Sequence, residues 1–296
     1  MNYNKPIHVI FNNFWPGFVE GTNPNTARFF VHLFERVFRS DIIVEHDVAN
    51  ADILCEHAYG NDTTSLIYKK KWLYSILVNA ESMVSCGVVP EYYVNFSVFL
   101  SGLKPSIPLK RVKFPLCASY LYCNSNLSMT PVGSPPNNLV CAVISNPKGV
   151  VRNKFLDFLE RRTTVYYGGN FRNNIGFVVG GDHNSSELLN FIRHFKFVVT
   201  MENNEEDYYI TEKICNGFFA GTVPIYWGSP NVTKYFNKNR FLHLENDSDE
   251  EIIRIVDKII EMDDITYMKM VYTEVLVNKN AIGELSDDIC EILNIR

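Results

Sequence analysis

Short apolar runs alternate along the chain with longer stretches in which apolar residues return every three or four positions. Residues 7–11 form one such run, which stops at Asn12-Asn13, and Asn23-Pro24 then offers a helix cap and a first-turn proline. The helix predicted to follow sets Ala27, Phe30, Val31, Phe34, Val37 and Phe38 on one face, ready for a sheet to cover. Strand-like runs recur at 42–44, 53–54, 73–78 and 92–96, so the first half reads as α/β.

Between residues 123 and 138 this pattern stops. Asn124-Ser125-Asn126, Thr130-Pro131 and Gly133-Ser134-Pro135-Pro136 bring turn chemistry with few apolar side chains, the composition of a linker. Strands are predicted afterwards at 139–144, 165–167, 197–200, 223–227 and 241–244, with helices at 152–160, 186–194, 211–220 and 249–262. Such alternation implies a parallel sheet covered on both faces, which binds ligands at the carboxyl ends of its strands. A chain of 296 residues also exceeds what one hydrophobic core usually serves. Two α/β domains are expected, at 1–125 and 139–265, joined by a linker at 126–138 and followed by a C-terminal helical segment at 266–296.

Charge narrows the partners. With 28 Lys and Arg against 33 Asp and Glu, there is no broad positive field to hold a nucleic-acid backbone, and no nucleic-acid partner is expected. No apolar run approaches the roughly 18 to 20 residues that span a bilayer. Because Met1-Asn2-Tyr3-Asn4-Lys5 leads straight into a strand-like run, a cytoplasmic location without an integral membrane segment is expected. The seven cysteines are scattered and lack CxxC spacing, as reduced thiols would be. The N-x-S/T triplets at Asn95, Asn126 and Asn231 then read as incidental.

One stretch carries a concentration of polar chemistry. The strand at 197–200 runs into Met201-Glu202-Asn203-Asn204, and Tyr209-Ile210-Thr211-Glu212-Lys213 opens a helix after a short loop. A helix N-terminus attracts a pyrophosphate through its unpaired N–H groups, and Lys213 adds a full positive charge there. Glu212 can accept hydrogen bonds from ribose hydroxyls, and Asn203 can donate to a phosphate oxygen. Spacing alone favours a plainer account, with Thr211 capping a helix whose first turn is solvated. Asp247-Ser248-Asp249 fits a DxD metal pattern, yet its place before Glu250-Glu251-Ile252-Ile253 reads as an acidic helix start, so no metal ligands are assigned.

The run Glu202-Asn203, Asp207-Tyr208-Tyr209-Ile210-Thr211-Glu212-Lys213, continued by Ala220-Gly221-Thr222-Val223-Pro224-Ile225-Tyr226-Trp227-Gly228, resembles the signature of the α1,3/4-fucosyltransferases. Ser145-Asn146-Pro147 with Arg152, and Gly168-Gly169-Asn170-Phe171-Arg172-Asn173, are similar to two further segments of that family's donor domain. The resemblance implies a fold of two Rossmann-like α/β domains facing across a cleft, the GT-B type, with the acceptor side in the first and GDP-fucose in the second. It implies a donor set of Glu202, Asn203, Tyr209, Glu212, Lys213 and Arg172, and a general base at Glu81 within Asn79-Ala80-Glu81-Ser82. The implied reaction is inverting transfer of L-fucose from GDP-β-L-fucose to an N-acetylglucosamine-containing oligosaccharide acceptor, through an α1,3 or α1,4 linkage. No cofactor is then required, GDP-fucose being the donor substrate, while metal stimulation and oligomeric state stay open. The family's eukaryotic members carry a membrane anchor, so the resemblance here points to a bacterial or viral type. A transferase using another nucleotide sugar, or a glycan-binding relative without activity, are the alternatives. A nicotinamide-dependent oxidoreductase is disfavoured because no G-x-G-x-x-G follows a strand.

Overall fold

The computed structural model describes residues 5–23, 26–80, 89–181 and 183–295, so Pro24, Glu81, Ser82 and Cys86 lie outside the described residues. It divides into two compact units. One comprises Met1–Asn124, Glu206–Tyr209 and Asn280–Arg296, and the other Ser125–Glu205 and Ile210–Lys279.

In the first unit six parallel strands run in the order β2-β1-β3-β4-β5-β6. They are β1 (Ile7–Asn12), β2 (Ile42–Glu45), β3 (Ile53–His57), β4 (Tyr74–Asn79), β5 (Val98–Ser101) and β6 (Arg111–Lys113). Helix α1 (Ala27–Phe38) is capped by the Thr26 side chain, which accepts from the Arg28 amide. Its buried face, including Phe30, Leu33 and Phe34, packs on Val9, Ile53, Ile76 and Val98 together with Leu285 and Ile289. The opposite sheet face is covered too, with Leu54, Leu77 and Phe99 against Tyr93 and Phe96. Every residue of β3 is therefore buried, the polar Glu56 and His57 at its end included.

The strand expected at 92–96 is instead a 3-10 turn, Glu91–Asn95, and the strand lies just beyond it at β5. Tyr93 and Phe96 are three residues apart, so one helical turn delivers both to the core, an outcome that aromatic β-propensity conceals. Strand β6 and helix α2 (Leu116–Cys123) were not predicted, because three residues and eight give too little periodicity to register. Trp15 and Tyr92 also pack in clusters, Trp15 edge-on to Phe18 and Tyr92 edge-on to Tyr93.

In the second unit five parallel strands run β11-β10-β9-β7-β8. These are β7 (Asn138–Ala142), β8 (Val165–Tyr167), β9 (Phe195–Val199), β10 (Val223–Tyr226) and β11 (Leu242–His243). The order reverses at β7, which has β8 on one side and β9 on the other, and such a reversal opens a crevice beyond the carboxyl ends of the two diverging strands. Helices α3 (Val150–Glu160), α4 (Ser186–Ile192), α5 (Glu212–Phe219), α6 (Asp249–Glu261) and α7 (Asp264–Val271) cover the sheet. The Ser248 side chain caps α6 by accepting from the Glu251 amide, and Asp249 pairs with Lys154 at 2.7 Å. Among the described residues no group of three acidic, His or Cys side chains gathers as a metal would require. None of the described helices is long and apolar enough to cross a membrane. The C-terminal stretch is shared: residues up to Lys279 belong to the second unit, while α8 (Ala281–Leu293) packs against α1 in the first.

His57, at the end of β3, has no exposed surface and lies among Phe14, Trp15 and Tyr59. Its Nδ1 accepts from the Tyr59 amide, so the neutral ring carries its proton on Nε2. Burial lowers its pKa to about 3. The unfolded chain thus binds a proton that the folded chain refuses between about pH 6.5 and about pH 3, and stability is lost as pH falls through that window. Denaturant melts at stepped pH are expected to show a loss approaching about 1.4 kcal/mol per pH unit below pH 6, absent from His57→Gln. Phe34→Ala, which empties a fully buried site in the same unit, is expected to cost about 3 to 5 kcal/mol in urea titrations.

Candidate functional site

Strand β9 hands the chain to Thr200-Met201-Glu202 without releasing it. The Thr200 amide donates to the Ile225 carbonyl at 2.9 Å and the Glu202 amide to the Trp227 carbonyl at 2.8 Å, so the pairing with β10 continues past the end of the strand. Glu202 has no exposed surface. Gly228 follows Trp227 with φ +152°, where a Cβ would stand 2.6 Å from Cγ of Glu202, so glycine is what makes room for the carboxylate.

A carboxylate taken out of water costs several kcal/mol unless charge and hydrogen bonds replace the solvent. Thr211 and Lys213 do this. Oε1 accepts from the Thr211 amide at 2.8 Å, and the Thr211 hydroxyl lies 2.9 Å from both carboxylate oxygens. The Lys213 ammonium donates to Oε2 at 2.9 Å and to Thr211 Oγ1 at 2.9 Å. Thr211 is also the N-cap of α5, accepting from the Lys213 amide, so one side chain ends the loop, starts the helix and ties both to Glu202.

Glu212 completes the group. Its Oε1 lies 3.7 Å from the Lys213 ammonium and 3.6 Å from Nδ1 of His183. Burial pushes the Glu202 carboxyl up, against the pull of Lys213. For Glu212 burial acts the same way, but Lys213 and His183 outweigh it and hold the carboxyl below its usual range. The Lys213 side chain keeps 27% of its surface exposed, with its ammonium anchored on Glu202 and Thr211.

Asn203 belongs to a second cluster across the crevice. Its Oδ1 accepts from Nη1 of Arg152 at 2.8 Å, and Nη2 of the same guanidinium donates to the Asn146 carbonyl. Arg152 is 3% exposed and binds the loop after β7 to the loop after β9. Sequence reasoning gave it no role. His183 is a polar residue at this strand end that it missed as well, and Thr211, expected as a helix cap within the family signature, has the further role of binding Glu202.

Arg172 is placed differently. Its residue has φ +58°, and its guanidinium pairs with Asp157 at 2.6 Å and Glu160 at 3.0 Å on α3, stacked on Phe171. None of these partners belongs to the 202–213 motif. Tyr209 is 5% exposed and lies in the first unit. Glu81 lies outside the described residues, two positions beyond Asn79, the buried end of β4.

Residues 134–276 match the family model for the C-terminal domain of glycosyltransferase family 10, the fucosyltransferases. An α-(1,3)-fucosyltransferase of Helicobacter pylori is 38% identical over 132 residues, 44% of this chain and 26% of that protein. A putative fucosyltransferase of Acanthamoeba polyphaga mimivirus is 25% identical over 149 residues, 48% of this chain and 25% of that protein. The matched stretch thus spans about a quarter of the length of these curated relatives. A crystal structure of an α1,3-fucosyltransferase with GDP superposes with a TM-score of 0.68 at 21% identity, covering 99% of this chain and 92% of that one. A second, with GDP-fucose, gives a TM-score of 0.65 at 19% identity. At these identities the likeness shows the fold, two Rossmann-like α/β units of the GT-B type. Residues 134–276, the stretch that matches the fucosyltransferase family model, hold the buried glutamate, its capping threonine and the lysine.

Proposed function

We propose that this chain transfers L-fucose from GDP-β-L-fucose to a hydroxyl of an N-acetylglucosamine-containing glycan, with inversion at the fucose anomeric carbon and an α1,3 or α1,4 linkage in the product. The observation that carries this reading is the Glu202-Thr211-Lys213 group, an ammonium fixed at a helix start beside a strand reversal. It is supported by relatives named as α1,3-fucosyltransferases and by fold neighbours whose structures contain GDP and GDP-fucose.

In this reading Lys213 and Asn203 meet the diphosphate, and Glu212 accepts from the ribose hydroxyls. Glu202 acts through Thr211 and Lys213, since it has no surface of its own to offer. Tyr209 borders the nucleotide. Arg172 is assigned to the diphosphate by family resemblance, and to serve there it must exchange Asp157 and Glu160 for phosphate oxygens. The acceptor oxygen attacks the anomeric carbon as its proton passes to Glu81, and the bond from that carbon to GDP breaks. The negative charge developing on GDP is met by cations already in place, which is where such sites gain most of their rate. No cofactor enters the scheme.

Three measurements test it. Incubation with GDP-fucose and type 1 or type 2 N-acetyllactosamine is expected to yield a fucosylated product, and GDP-mannose or UDP-sugars none; transfer from another donor in preference would refute the assignment. Lys213→Ala is expected to weaken GDP and GDP-fucose alike by about ten- to a hundredfold in calorimetry, the loss of one charge-assisted contact. Unchanged affinity removes Lys213 from the site. Glu81→Gln is expected to bind GDP as before while kcat falls by about 10² to 10⁴, as for a lost general base. Wild-type turnover in that variant would contradict its role.

A further inference from the structure

The middle of the donor motif belongs to a different unit from its two ends. Glu206–Tyr209 belongs to the first unit, while Glu205 before it and Ile210 after it belong to the second. Arg111, at the start of β6, accounts for this. Its guanidinium donates from Nη1 to Oδ2 of Asp207 at 2.9 Å, from Nε to the Ser101 carbonyl at 3.1 Å and from Nη2 to the Gly102 carbonyl at 3.2 Å. All three arms of the fork are engaged, with 12% of the side chain exposed.

The backbone is stitched at the same place. The Tyr208 amide donates to the Gly102 carbonyl at 2.7 Å, and a Cβ on residue 102 would stand 2.6 Å from the Tyr208 carbonyl oxygen, so only glycine lets the strands approach. The Lys113 ammonium lies 5.4 Å from the centre of the Tyr208 ring. Arg111 and Lys113, alternate residues of β6, thus contact Asp207 and Tyr208 of the motif. Without that grip the acidic run Glu205-Glu206-Asp207 is a polar loop with several backbone rotations to freeze whenever a donor binds, at about 1 to 2 kcal/mol per residue.

We infer that the Arg111–Asp207 pair is a positioning element for the nucleotide-sugar donor, holding residues 206–209 so that Tyr209 is in place before GDP-fucose arrives. The inference rests on the donor reading above. The pair acts through Tyr208, the one residue that separates Asp207 from Tyr209. Its chemistry favours Arg over Lys, because an ammonium cannot serve a carboxylate and two carbonyls in one plane.

The decisive variant is Asp207→Ala, whose side chain is 33% exposed and whose loss leaves the carbonyl bonds of Arg111 intact. Its KM for GDP-fucose and its GDP affinity are expected to weaken about tenfold, with kcat within about twofold of wild type and an unchanged melting midpoint. Arg111→Lys is expected to show the same split, and Asp207→Glu to restore part of the affinity. A merely structural role would lower the fraction of active molecules, and hence kcat, at constant KM. Constant KM and constant GDP affinity in Asp207→Ala, with wild type binding GDP normally, would overturn the inference and leave the donor reading standing. Failure of the wild-type chain to bind GDP would overturn that reading, and this inference with it.

Discussion

A carboxylate with no exposed surface dictates what surrounds it. Glu202 needs hydrogen bonds and a positive charge in place when the chain folds, because water is not there to supply them. Thr211 provides an amide and a hydroxyl, Lys213 provides the charge, and Gly228 provides the space. Each has a second consequence. The Thr211 hydroxyl that serves Glu202 also caps α5, and the lysine that neutralises Glu202 is left with its ammonium fixed at a helix N-terminus. A folding requirement thereby fixes a cation at a helix N-terminus, and in the proposed reaction a cation already fixed is the condition under which electrostatics contribute most.

The surrounding sheet makes this placement possible. Parallel strands deliver their carboxyl ends, and the loops that follow, to one edge, and the reversal at β7 parts the loops after β7 and β9 there. Arg152 then links those loops through Asn146 and Asn203, a buried guanidinium used as a brace at the crevice. The two clusters differ in chemistry. One is acidic and joined to a lysine, while the other is a buried guanidinium that donates to an amide and a carbonyl oxygen.

Much of the framework was legible in the sequence because it depends on local patterns. The apolar face of α1, the strands of the second sheet and the Thr211 cap all follow from spacing and from side chains that act on their own backbone. Where contacts between distant segments decide the outcome, the sequence was mute. The 3-10 turn at Glu91–Asn95 puts aromatic residues on one side in a way that a strand pattern mimics. Arg152, 51 positions from Asn203, and Arg111, 96 positions from Asp207, carry no local signal. Arg172 shows the converse. Its segment suggested a phosphate ligand, and its partners in the structure are Asp157 and Glu160, acidic residues 15 and 12 positions back along the chain. The full burial of Glu202 was also invisible, since a glutamate after a strand is ordinarily at the surface.

If the buried carboxylate is what holds the lysine ready, the two residues act on the nucleotide as one unit. A double-mutant cycle of Glu202→Gln and Lys213→Met, read as GDP affinity by calorimetry, measures this directly. Each single variant is expected to lose most of the affinity that the double variant loses, so that the two effects fall well short of adding. Additive losses, or full GDP affinity in Glu202→Gln, would contradict the account.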